Sequence, residues 1–227
     1  MTSGQLPRTV VLFAIGSPIV AEYAETCRRL GVTIAAAVRN RPGPVFFRDE
    51  RVVADAADLA PVSGWSCFCP LFTPRNRFIA TAEATELGWS FAGALIDPTA
   101  VVASSAVIGP GGYVNAGCVL GAELTLRENV LVNRAAAIGH HVEIGAFASV
   151  GPGVVVGGLV TIGTGAMLGA GAVILPRVNV GAHAVVGAGA VVVRDVPAHG
   201  KVIGNPARIV ERALPGFDGD EQRARTR

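Results

Sequence analysis

The sequence lacks the features of a nucleic-acid-binding or membrane protein. Charged residues make up only 16% of the chain and the formal net charge is +2, so no long stripe of lysine and arginine is available to neutralise phosphates. Glycine, proline or a charged residue interrupts every apolar run before about 18 residues, the length that a helix needs to cross a bilayer. No apolar leader with a small-residue cleavage site precedes the first strand-like run. We therefore expect a cytoplasmic protein with no nucleic-acid and no membrane partner.

Cysteine is scarce as well. The four cysteines, at positions 27, 67, 69 and 118, lack the paired spacing of a zinc site. In a reducing compartment we expect them to remain thiols. The sequence predicts no metal centre.

A repeat of six residues fills the second half of the chain. It runs from residue 95 to residue 196 as 17 consecutive hexads without an insertion. The second place is Val, Ile or Leu in all 17 hexads, the third is Gly, Asn or Asp in 13, and the sixth is usually Ala or Val. An inward-pointing aliphatic residue followed by one that tolerates the left-handed backbone region predicts short parallel strands joined by tight corners. Three hexads close one triangular coil, and successive coils stack about 4.8 Å apart.

The first ninety residues follow a different pattern, which predicts a Rossmann-like α/β domain. Apolar runs and helical spacing indicate a strand, a helix, two further strands and a second helix, in the chain order 9–15, 19–30, 32–38, 66–72 and 74–87. Ligands of such sheets bind beyond the carboxyl ends of the strands. Gly16, Ser17, Asn40 and the loop at residues 72–77 are therefore candidate substrate contacts.

The change of pattern divides the chain. We expect a flexible N-terminus over residues 1–8, the α/β domain over residues 9–94 and the β-helix over residues 95–196. Residues 197–227 form a C-terminal extension, whose last residues we expect to be disordered.

The order of these domains, with the motifs DPTA at 97–100, IGH at 138–140 and GNPAR at 204–208, resembles the hexapeptide-repeat acyltransferases. The resemblance is to the nucleotide-sugar acetyltransferases related to those that make sialic acid, perosamine and bacillosamine derivatives. It implies a left-handed β-helix, acetyl-CoA as co-substrate, and acetylation of an amino group on a nucleotide-linked amino-deoxy sugar. It also implies a homotrimer with its active sites between neighbouring helices.

The same resemblance implies roles for residues of the repeat. His140 aligns with the general base of the family and would take a proton from the acceptor. The acceptor would attack the thioester directly, without a covalent intermediate, since no Ser or Cys stands beside His140 in the repeat. Gly158 lies three hexads further on, one coil away on the same corner, and would bind the thioester carbonyl through its amide. Ala170 and Ala188 would hydrogen-bond the pantetheine arm with main-chain groups.

Asn133 has two interpretations. It aligns with a substrate-contacting Asn of the family. It also follows Asn115 and Asp97 at intervals of three hexads, and a structural corner ladder explains that column equally well.

Two departures from the family pattern lie in the repeat. Family members usually follow the base with Asp or Glu, whereas this chain has His141, and Ser149 stands where some members have a second His. Glu123, three hexads before His141, should lie on the same corner at about 4.8 Å. We hypothesise that its carboxylate orients His140, directly or through His141. Glu143 is the rival carboxylate, but it begins the next strand.

Other functions stay open from the sequence. The acceptor could be a hydroxyl group of a sugar or another small molecule, or the β-helix could be catalytically weakened and structural. A γ-class carbonic anhydrase uses the same β-helix with zinc histidines about five residues apart. The places five beyond His140 and His141 hold Gly145 and Ala146, which disfavours that zinc site.

Overall fold

The protein consists of a small α/β domain set against one flank of a triangular β-helix. The structure is a computed structural model that describes residues 8–47, 52–53, 56–63, 65–91 and 93–212. The fold is the predicted left-handed parallel β-helix with an N-terminal α/β domain. The expected flexible start, apart from Arg8, and the expected disordered end of the chain lie outside the described residues.

The α/β domain has a four-stranded parallel sheet between two helices. Its strands are β1 (Thr9–Phe13), β2 (Thr33–Val38), β3 (Val52–Val53) and β4 (Ser66–Phe68), in the order β3-β2-β1-β4, and its helices are α1 (Val20–Leu30) and α2 (Pro74–Glu86), with a 3-10 turn at Ala56–Asp58. The expected strand over residues 66–72 is shorter than predicted. It ends before Pro70, which has no N–H to donate to a ladder.

The hexads form two-residue strands, one for each hexad. These are β5 to β21, in chain order Leu95–Ile96, Val101–Val102, Val107–Ile108, Tyr113–Val114, Val119–Leu120, Thr125–Leu126, Leu131–Val132, Ala137–Ile138, Glu143–Ile144, Ser149–Val150, Val155–Val156, Thr161–Ile162, Met167–Leu168, Val173–Ile174, Asn179–Val180, Val185–Val186 and Val191–Val192. Each strand from β5 to β18 pairs in parallel with the strand three further along, as Ala137 does with Val155. The predicted period of three hexads is therefore the register of the sheets.

The strands form three faces. The covered face holds β5, β8, β11, β14, β17 and β20, the apolar face holds β6, β9, β12, β15, β18 and β21, and the polar face holds β7, β10, β13, β16 and β19. Along the chain, corner 1 leads from the covered to the apolar face, corner 2 from the apolar to the polar face, and corner 3 from the polar back to the covered face.

The β-helix continues past Val196. Strand β22 (Lys201–Ile203) extends the covered face, and β23 (Arg208–Glu211) pairs with it in antiparallel orientation. Val185 pairs with Lys201, whereas a full coil of three hexads would pair it with Ile203. The last coil is therefore slightly shorter than the others.

The core is filled from the second and sixth places of the hexads. Residues such as Ile138 and Val156 at the second place and Ala136 and Val142 at the sixth are at most 3% exposed. Burying each large aliphatic side chain contributes about 1.5–3 kcal/mol. The hexad pattern thus accounts for one continuous apolar interior.

The third-place glycines serve another purpose than the one predicted. The left-handed backbone lies at the fifth place, where His141 has φ 55° and Phe147 has φ 58°. At the third place, a Cβ added to Gly139 would lie 2.8 Å from the backbone nitrogen of Gly158, and one on Gly145 would lie 2.4 Å from that of Thr164. At Gly139 and Gly145 glycine is therefore required by the close approach of the next coil and not by φ.

Arg77 of the α/β domain is hydrogen-bonded to corner 3 of the β-helix. Its side chain is buried and donates hydrogen bonds to the carbonyls of Asn129 (2.9 Å) and Phe147 (2.7 Å) and to Ser149 Oγ (2.9 Å). Ser149 in turn donates to the carbonyl of Phe72 at 2.5 Å. Burial lowers the pKa of Arg77 to about 10, so the side chain stays charged at neutral pH. We expected the whole loop at 72–77 to contact substrate. For Arg77 this is wrong, because its guanidinium is buried and donates its hydrogen bonds to groups of the protein.

Helix α1 contacts the β-helix at corner 1. Thr26 and Arg29 each hydrogen-bond the Asp97 carboxylate at 3.1 Å, and the Tyr23 ring stacks on Tyr113 with centroids 3.7 Å apart. The α/β domain therefore lies over the first coils of the covered face, held at both edges.

We expect Arg77→Met to lower the free energy of unfolding by roughly 3–5 kcal/mol, because several buried carbonyls and a hydroxyl lose their charged donor. Urea denaturation at one fixed protein concentration measures the change. Arg28→Met, which removes an exposed arginine paired with Glu25 on α1, is the control and should leave the midpoint unchanged. Equal midpoints for the two variants would contradict the role of Arg77.

Candidate active site

Two adjacent histidines project from corner 2. His140 and His141 occupy the fourth and fifth places of their hexad, and both side chains are exposed. Their rings are almost perpendicular, with an interplanar angle of 87°, and their Nδ1 atoms are 3.0 Å apart. The two rings therefore meet through their Nδ1 atoms.

Gly158 lies directly beneath the His140 ring. A Cβ added at Gly158 would be 2.7 Å from His140 Nε2, so the ring rests there only because the position is glycine. The coils are held in this register by the N–H of Leu159, which donates to the His140 carbonyl at 3.0 Å. Within residues 93–212 the Gly158 N–H donates to no backbone carbonyl. The structure thus brings together His140 and Gly158, as the coil period predicts.

Glu123 does not make the contact that we hypothesised. Its backbone N–H donates to Ser105 Oγ at 2.9 Å and its side chain is exposed. Among the described residues neither Glu123 nor Glu143 forms a side-chain hydrogen bond or ion pair with either histidine. Among the described residues the side chain that contacts His140 Nδ1 is His141, whose own Nδ1 lies 3.0 Å away.

Ala170 and Ala188 lie on corner 1, at the opposite edge of the apolar face from His140. Both are exposed, and the Ala170 carbonyl accepts a hydrogen bond from the N–H of Gly189 at 2.9 Å. Within one chain these alanines and the histidines are therefore on different corners and do not meet.

Asn133 belongs to a corner ladder. Asn115 Nδ2 donates to Asn133 Oδ1 at 3.0 Å, and the same oxygen accepts from the backbone N–H of Arg134 at 2.8 Å. Asp97, at the foot of the column, is bonded to α1 instead. The structural interpretation of Asn115 and Asn133 fits this geometry, and a substrate contact by Asn133 stays a prediction.

The α/β domain contains a cleft of about 350 Å³ at the carboxyl ends of its strands. Of the predicted contacts, Gly16 and Asn40 line it, whereas Ser17 does not. Asn40 is held by a hydrogen bond from its Nδ2 to Glu83 at 2.9 Å. Asn76, within the predicted loop at 72–77, lines the cleft as well, whereas Arg41, which also lines it, was not among the predicted contacts. The Pro at the start of α2 was the available signal, since it places Asn76 in the first turn of a helix that begins beside the sheet.

Neither a metal nor a membrane is indicated by the part of the chain that the structure describes. It contains no group of three or more His, Cys, Asp or Glu side chains that could hold a metal ion. The helices seen there are too short or too polar to cross a bilayer.

Comparison with known proteins extends this description. Residues 159–194 match the family model described as bacterial transferase hexapeptide (six repeats), and no curated protein gives a match. PerB from Caulobacter crescentus, solved in complex with CoA and GDP-perosamine, is 32% identical with a TM-score of 0.80, and the match covers 92% of this chain and 100% of PerB.

Two further solved structures are similar. The acetyltransferase domain of PglB from Neisseria gonorrhoeae, in complex with acetyl coenzyme A, is 30% identical with a TM-score of 0.81, covering 90% of this chain and 100% of that one. A variant of the Caulobacter crescentus GDP-perosamine N-acetyltransferase, with one histidine replaced by alanine and with CoA and GDP-perosamine bound, is 32% identical with a TM-score of 0.78, covering 92% and 99%.

These similarities identify the chain as an acetyl-CoA-dependent acyltransferase. The chain belongs to the hexapeptide-repeat acyltransferases, in the subgroup of nucleotide-sugar acetyltransferases.

Gly158→Ala should lower kcat roughly 10²-fold, because the new methyl group displaces the His140 ring by an ångström or more. The fold should persist, since Gly158 does not have positive φ and alanine occupies the same place at Ala170. Steady-state release of CoA measures the effect. The matched control is the same change in a His140→Ala background, where no ring remains to displace and no further loss is expected. A full-rate single variant would contradict the packing of ring on glycine.

Proposed function

We propose that the protein transfers the acetyl group of acetyl-CoA to the amino group of a nucleotide-linked amino-deoxy sugar. The observation that carries the proposal is the packing of the exposed His140 ring, Nε2 foremost, against Gly158, whose backbone N–H donates to no backbone carbonyl within residues 93–212. The relatives support it, since one was solved with CoA and GDP-perosamine and another with acetyl coenzyme A.

The proposed reaction is a direct attack of the acceptor on the thioester. The acceptor amine adds to the thioester carbon, and His140 Nε2 takes a proton from the amine. The Gly158 N–H donates to the oxyanion that forms on the thioester oxygen. Collapse of this intermediate breaks the C–S bond, so that the amide forms and CoA leaves as its thiolate. The proposed mechanism has no covalent acyl-enzyme, because the hexad that carries His140 contains neither Ser nor Cys.

The cleft of the α/β domain is the proposed nucleotide site. It lies where ligands bind in α/β sheets, beyond the carboxyl ends of the strands. Arg41 supplies a positive charge for phosphate, and Gly16 and Asn40 border the same space. Glu22, which follows the Gly16 turn at the start of α1, is ion-paired with Arg134. The Gly16 turn and the start of α1 are thereby held against corner 1.

We also propose a homotrimer, on the strength of the apolar face. Its six first-place residues are all aliphatic, and Val101, Val119 and Val155 are 65%, 50% and 45% exposed. The polar face has Thr125, Glu143, Thr161 and Asn179 at four of its five first places. An apolar strip of this kind, left open on one side of a β-helix, fits a second copy of the chain.

In a threefold arrangement, the site residues of corner 2 would lie next to those of corner 1 from a neighbouring subunit. The apolar face lies between corner 1 and corner 2, so packing three apolar faces around an axis brings corner 2 of one subunit to corner 1 of the next. His140 and Gly158 then face Ala170 and Ala188 of the neighbouring subunit. The pantetheine arm would lie in the groove between them, with the neighbour's main chain available for hydrogen bonds.

His140→Ala should lower kcat by roughly 10²–10⁴-fold, the contribution of a positioned general base, and leave the fold intact because the side chain is exposed. The assay measures CoA release with UDP-, GDP- and dTDP-linked amino sugars and the matching hydroxy sugars as acceptors. His199→Ala on corner 3 is the control and should retain wild-type turnover. Full activity of His140→Ala would overturn the assignment of the base, and acceptance of hydroxy sugars alone would overturn N-transfer.

A further inference from the structure

The two ring nitrogens of His140 have different surroundings. Nε2 lies over Gly158, on the side where the thioester and the amine would react. Nδ1 is 3.0 Å from Nδ1 of His141. The hydrogen bond between the two rings therefore involves Nδ1 of His140 and not Nε2.

A hydrogen bond between two Nδ1 atoms needs a proton on one of them and a lone pair on the other. If His140 Nε2 is to accept a proton from an amine, its lone pair must be free, and the proton of the neutral ring must then sit on Nδ1. His141 Nδ1 must in that case be the acceptor, and the proton of His141 sits on its own Nε2.

We propose that His141 is a positioning residue that locks His140 in the Nδ1–H tautomer, acting as a neutral acceptor. This inference rests on the proposed role of His140 as the base. Charged residues on the same corner do not compete for the bond, since neither Glu123 one coil below nor Arg177 two coils above has a hydrogen bond or ion pair with either ring within residues 93–212.

The backbone at this position allows a clean test. His141 has φ 55°, and the fifth-place residues one coil away on either side, Glu123 and Leu159, have φ 56° and 62°. Leucine and acidic side chains are thus already accommodated in this column. His141→Leu removes the acceptor without introducing a backbone strain that the fold does not already carry.

A neutral acceptor and a carboxylate differ in one respect. Both select the Nδ1–H tautomer, but only a carboxylate also neutralises the imidazolium that forms when His140 takes the proton. His141→Asp should therefore raise kcat above the wild-type value. His141→Leu should lower kcat roughly tenfold or more, since the reactive tautomer is no longer selected, and leave the KM values for both substrates unchanged.

The direct readout is the tautomer itself. Long-range ¹H–¹⁵N correlation spectra of the full-length protein labelled with ¹⁵N-histidine, assigned with His140→Ala, should show His140 as Nδ1–H in the wild type and predominantly as Nε2–H in His141→Leu. His140 as Nε2–H in the wild type, or an unchanged tautomer together with an unchanged kcat in His141→Leu, would overturn the proposal. The spectrum needs no substrate, so a wild-type protein that shows Nδ1–H but acetylates no amino sugar would refute the proposed function and not the lock.

Discussion

The close stacking of one backbone coil on the next is the constraint on which the rest of the structure depends. Adjacent coils approach so closely that a single methyl group at Gly145 would lie 2.4 Å from the nitrogen of Thr164. The register of three hexads per coil is held by these contacts and by the ladder of backbone hydrogen bonds. His140 sits over Gly158 because of that register, so the proposed catalytic pair is positioned by the same contacts that hold the fold.

The hexad divides its places between fold and function. The second and sixth places fill the core, the third permits stacking, and the fifth turns the corner with a left-handed backbone. The first place then decides what each face packs against: Leu95, Tyr113 and Leu131 are buried under the α/β domain, whereas Val101 and Val119 stay open. The fourth and fifth places are free to carry chemistry at the corners.

Much of this was predictable from periodicity alone. The strands, their register and the meeting of His140 with Gly158 follow from counting, because a solenoid converts sequence distance directly into position. The direction in which a side chain points was harder to predict than the coil and corner on which its residue lies. The coil period places Glu123 one coil from His141, but its exposed side chain makes no hydrogen bond with that ring, whereas His140 and His141, adjacent on one turn, do meet. The Arg77–Ser149 contact could not be predicted from the sequence either, since it joins two domains whose relative placement no repeat encodes.

The division of the proposed site between two subunits can be measured with two variants that are each inactive. His140→Ala lacks the base on corner 2, and Ala188→Tyr blocks the groove on corner 1 of the same apolar face. Co-expressed in equal amounts, they should recover about a quarter of the wild-type activity, because in random trimers one interface in four joins an intact corner 2 to an intact corner 1. A mixture as inactive as either variant alone would contradict a site shared between neighbouring chains.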